Sequence, residues 1–121
     1  MPHPPPGWPP AVRPADAPGW VRSAVAWLYD QCPPDYRGYD VLRTHPVALA
    51  RLAHDCTAAA LTAARQGFAT ARADLVDVLD PPALEALLRA YEQEGRRLRA
   101  ALRGVELVRD ALGGARPVPR L

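Results

Sequence analysis

Between Asp80-Pro81-Pro82 and Gly113-Gly114, residues of one kind recur at spacings that alternate four and three. They are Leu84, Leu88, Tyr91, Gly95, Leu98, Leu102, Val105, Arg109 and Leu112, and only Gly95 and Arg109 depart from apolar bulk. This is a helical seam of heptad type, and a seam of that length demands a second helix along it. It cannot be laid out as a strand, whose faces alternate every second residue. Glu85–Arg89 and Glu92–Arg96 add i,i+4 pairs in the favourable order.

The preceding segment supplies the second helix. It is expected to begin near Pro46 with Thr44 as N-cap, and to carry a broad apolar stripe. Leu49, Leu52, Ala53, Cys56, Ala60, Ala63, Ala64, Phe68, Ala71, Leu75, Val78 and Leu79 make up that stripe. Much of it is alanine, so a neighbour approaches closely. Gly67 is its weak point, costing about 1 kcal/mol relative to alanine, and a break there is an open alternative. Asp80 caps the last helix and Pro81 takes its first position. A connection this short makes the two helices antiparallel neighbours.

A shorter first helix is expected over Ala17–Gln31, with Asp16 as N-cap and Pro18 in its first turn. Trp20, Val21, Ala24, Val25, Trp27 and Leu28 follow helical spacing, and Cys32-Pro33-Pro34 ends it. Seven of the first fourteen residues are proline, so residues 1–14 read as a disordered arm of polyproline character, in which Trp8 either folds back on the bundle or belongs to a Pro/Trp recognition peptide. Residues 113–121 read as an extended tail. The fold expected is therefore all-α, one domain over 15–112. It is a three-helix bundle built on a long antiparallel helical hairpin, with the shorter N-terminal helix beside it. That helix would span about 22 Å against roughly 45–50 Å for each arm of the hairpin. It would shield only half of the hairpin, leaving Phe68, Leu75, Val76, Leu79, Leu84, Leu87 or Leu88 partly wet. Self-association, as a dimer, follows as the expectation.

The connector "CPPDYRGYDVLRTHP", residues 32–46, is elaborate for a link between helices. A helical turn from Asp40 would put Val41 and Leu42 inward, with Tyr36 and Tyr39 closing the end of the bundle. Tyr36, Arg37, Tyr39, Arg43 and His45 form a candidate interaction surface there. That surface would receive a protein partner.

Signals for chemistry are sparse. The formal charge is only +2, and all fifteen basic residues are arginine, with no Lys, Asn or Ile. GC-rich codon usage explains that bias without phosphate recognition. Arg96, Arg99 and Arg103 nevertheless lie along one side of the last helix and are candidate phosphate contacts, giving a nucleic-acid-associated protein as the alternative function. Glu92, Glu94 and Glu106 border the row, and no aromatic residue is interleaved for stacking. His45, His54 and Cys56 supply a further alternative, a metal- or small-molecule-binding bundle, although their spacing fits no ligand pattern. Cys32 and Cys56 read as free thiols. No nucleophile or phosphate-loop motif is present, Ser23 being the only serine, so no catalytic residue, metal or cofactor is assigned. No apolar run reaches the ~18–20 residues that span a bilayer, and a cytoplasmic setting with no membrane partner is expected.

The stretch "WLYDQCPPDYRGYDVLRTHPVALARLA", residues 27–53, together with the closing "RPVPRL", resembles short uncharacterised helical proteins of GC-rich actinobacteria. The resemblance implies a bacterial cytoplasmic setting and carries no activity or site. The function expected from the sequence is a small non-enzymatic interaction protein, an adaptor or regulator that self-associates.

Overall fold

The computed structural model describes residues 4–114. In chain order it contains helix α1 (Trp20–Asp30), a 3-10 turn (Pro34–Gly38), a short helix α2 (Asp40–Thr44), and the long helices α3 (Pro46–Leu75) and α4 (Pro81–Gly114). Helices α3 and α4 form the antiparallel hairpin. At 1.5 Å per residue they run about 45 and 51 Å, against about 17 Å for α1. The bundle is three helices thick only where the start of α3 meets the end of α4. There Ala24, Leu28, Leu42, Leu49, Val105 and Val108 close a continuous core. Further along, Leu61, Ala64 and Leu98 form a second cluster, and Ala71, Leu84 and Leu88 a third, between α3 and α4.

The N-terminal arm departs from expectation over residues 4–14. It is folded onto the bundle by two turns, Trp8 N donating to Pro5 O at 3.0 Å and Val12 N to Pro9 O at 3.1 Å. The Trp8 indole donates to Val12 O at 2.9 Å and its ring lies 6.3 Å from that of Trp20. Val12 belongs to the main core and Pro9 is buried. The physical reason is that proline pre-orders the unfolded chain, so docking Trp8 and Val12 forfeits little entropy. Residues 1–3 and 115–121, the rest of the two expected tails, lie outside the described residues.

Helix α1 begins three residues later than expected. Gly19 occupies the N-cap position with φ 75°, a left-handed conformation that glycine adopts without strain. Asp16 is also left-handed, at φ 72°, and caps nothing. Thr44 is likewise no cap for α3, because it ends α2 and its hydroxyl donates to Asp40 O at 3.2 Å. His45 takes the N-cap position without a side-chain bond. Asp80 does cap α4, accepting from Ala83 N at 2.8 Å.

Helix α3 is continuous through Gly67. A methyl group there would lie 2.3 Å from the Tyr91 ring, so this glycine is the seat of Tyr91 rather than a hinge. The buried stripe of α3 runs through Ala50, Thr57 and Leu61, not through Ala60 and Ala63, which are exposed. On α4 the expected seam position Arg109 is exposed and Val108 is buried in its place. The α3 shift arises because alanines lie on several sides of that helix, and the α4 shift occurs where α1 and the arm widen the contact beyond a two-helix seam. Leu84 and Leu88, expected to be wet, are buried between α3 and α4.

Candidate functional site

The connector residues are brought together, but largely into contacts with one another. The 3-10 turn stacks Tyr36 on Tyr39 edge-on at 5.8 Å. Arg37 pairs with Asp30 at 3.1 Å and lies over the Tyr29 ring at 5.3 Å. Arg43 pairs with Asp40 and also donates to Arg37 O. Leu42 points inward as expected, whereas Val41 is 55% exposed and does not. Helix α2 is a single turn, so only one of two adjacent residues can face the core. Tyr29, missing from the expected apolar face, is buried, and its hydroxyl has no hydrogen-bond partner among the described residues. The arginines of this surface are thus tethered, and it reads first as the closure of the bundle end.

Beneath it, Cys32, Tyr36 and Cys56 meet as free thiols and a phenol. Burial, then the charge and hydrogen bonding of Cys56, push the Cys32 thiol up to about 11. Its hydrogen is directed to Leu28 O at 3.4 Å. Tyr36 is also held above its ordinary range, chiefly by hydrogen bonding with Cys56. A thiol held protonated in this way is inert.

The candidate metal residues separate. His54 lies on the α3–α4 seam, its Nε2 3.5 Å from Glu106, while Cys56 faces Cys32 and His45 stands exposed at the start of α3. Among the described residues no three His, Cys, Asp or Glu side chains converge as metal ligands.

The arginine row also divides. The stem of Arg103 packs beneath Gly7 of the arm. Arg97 is taken by Glu94 at 2.6 Å, which holds the Glu94 carboxyl below its ordinary range. Arg96 and Arg99 remain, and α3 adds Arg65 beside them. The three flank a groove of about 380 Å³ whose walls include Phe68, Tyr91 and Gly95. Glu92 stands at the same rim. Among the described residues Arg65, Arg96 and Arg99 enter no ion pair, whereas Arg72, next along α3, is paired with Glu85 at 2.9 Å. The aromatic rings that the row lacked in its own sequence therefore come from α3 and from one turn back on α4. The sequence signal for this is the α3–α4 pairing, and the seating of Tyr91 on Gly67 emerges only in the structure.

No helix among the described residues is long and apolar enough to cross a membrane. The fold is an all-helical one with a projecting two-helix hairpin. Comparison with protein-family models, with curated proteins and with solved structures finds no match.

Proposed function

We propose that the chain is a non-enzymatic helical interaction module that pairs with a second copy of itself through the tip of the α3–α4 hairpin. The observation that carries this is the unequal cover along the hairpin. Arm, α1 and α2 close one end, while at the other Leu75, Leu79 and Leu87 are only half-buried against two helices. Val76 and Val78 stand further out, Val78 being 72% exposed. Burying one such side chain completely stabilises by about 1.5–3 kcal/mol. A second hairpin laid antiparallel on the first would complete a four-helix cross-section there. Charge favours that offset. Asp74, Asp77 and Asp80 crowd the tip, while Arg89 lies further back on α4 and would come opposite them in the partner. The free thiols suit a reducing compartment such as the cytoplasm.

Sedimentation equilibrium between about 10 and 100 μM tests the proposal. A dimer is expected at the upper end, and Val78→Arg is expected to return it to monomer without lowering the melting temperature of dilute, monomeric protein. Monomer throughout the range overturns it.

A further inference from the structure

We infer that the groove between α3 and α4 is a binding site for a small organic anion with a flat apolar body, of the aromatic carboxylate class. The inference stands apart from self-association, which uses the hairpin tip between residues 74 and 89.

Three observations converge. First, the groove has the volume of a small-molecule site, about 380 Å³ against the roughly 300–1,000 Å³ usual for such clefts. Second, its walls are of two kinds. Phe68 and Tyr91 line it with aromatic surface, and Phe68 is left 43% exposed where a core residue would be covered. Flat ligands stack on such surfaces, with the ring held in place on one side. Tyr91 is so held, since it is seated against Gly67. Third, the rim is cationic and unspent. Arg65, Arg96 and Arg99 are drawn from two helices and enter no ion pair among the described residues. Planar guanidinium groups grip a carboxylate through two parallel hydrogen bonds. Glu92, the single carboxylate at the rim, leaves the excess at two positive charges and discourages a polyanion. Gly95 opens the floor, because a Cβ built there meets nothing within 4 Å.

The test uses 2-naphthoate as probe, its neutral amide as control, and inorganic phosphate and a short oligothymidylate as competitors, each titrated calorimetrically into the full chain. Naphthoate is expected to bind one per chain, at least tenfold more tightly than the amide or phosphate. Arg99→Gln is expected to weaken it about tenfold. Gly95→Phe is expected to abolish it while melting no lower than the parent, because the new side chain enters open space. Equal binding of naphthoate and its amide overturns the anionic half of the proposal, and equal binding of phosphate overturns the apolar half. No heat of binding at millimolar probe, or binding unaltered in Gly95→Phe, overturns the site itself. Tighter binding of the oligonucleotide overturns it in favour of a nucleic-acid surface. Naphthoate affinity that falls as protein concentration rises means that a second copy fills the groove, and overturns it also. Failure of this test leaves the sedimentation result untouched, and the reverse holds.

Discussion

At the scale of single residues, three helical glycines that look alike in the sequence differ in what surrounds them. Gly95 faces open space, Gly104 faces Pro9 and Trp27 within 3.0 Å of a built Cβ, and Gly67 faces the Tyr91 ring. Replacing glycine by alanine within a helix gains about 1 kcal/mol where space allows. Gly95→Ala is therefore expected to raise the melting temperature by a few degrees, and Gly104→Ala to lower it. Gly67→Ala displaces Tyr91, so its gain should emerge only when Tyr91→Ala is already present, a coupling of about 1 kcal/mol or more in a double-mutant cycle. Additive Gly67 and Tyr91 effects would contradict the seating of that ring. Cys32 carries a pH prediction of definite sign. Its thiol is raised in the folded protein to about 11 from an ordinary 9.0, so folding favours the protonated form. The associated stability is complete below pH 9 and is lost as pH rises toward 11. Iodoacetamide labelling of Cys32 should be about 100-fold slower near pH 8 than that of an unperturbed thiol, and should keep rising beyond pH 9. A labelling rate that levels off at pH 9 would refute this.

At the scale of elements, the helices were legible and their faces less so. The heptad spacing of α4, the double proline after Asp80 and the small residues of α3 suffice to expect the hairpin and its Asp80 cap. Periodicity alone sets the phase of α3 one residue off between Cys56 and Ala63, because alanines fall on several sides of the helix and spacing cannot choose among them. Heptad spacing puts Arg109 on the seam for the converse reason. A strict heptad describes a two-helix contact, whereas α1 and the arm cover the wider flank that holds Val108. Proline content argues against helix and strand in the arm but not against packing, and Trp8 is the one residue of the arm that signals its docking. Its role is measurable. Val12→Ala is expected to cost about 2 kcal/mol in chemical denaturation, as for a buried core side chain. The neighbouring exposed Ala11→Ser should stay within about 0.5 kcal/mol. Equal, negligible effects of the two would mean that the arm does not contribute to the core.

At the scale of the whole molecule, the graded cover along the hairpin predicts graded stability. Amides of residues 71–88 should exchange with solvent at least about tenfold faster than those of residues 49–53 and 105–108 in dilute protein, since local opening there uncovers only one interface. Raising the concentration toward 100 μM should slow exchange at the tip and leave the covered end unchanged if a second copy docks there. Uniform protection at low concentration would remove the physical basis for pairing. The candidate groove belongs to this scale as well. Arg96 and Arg99 were singled out from the sequence, but Arg65 and Phe68 lie about thirty residues away and join them only when α3 and α4 pack. The sequence alone determined that this chain is helical, that α3 and α4 are long, and that they fold back on each other at Pro81. Those properties follow from local spacing, capping and proline stereochemistry, which act within a few residues. The tertiary structure decided which arginines are spent in ion pairs, where the arm lies and which aromatic faces stay open, because those depend on the rotation of one helix against another, and helical periodicity leaves that angle free.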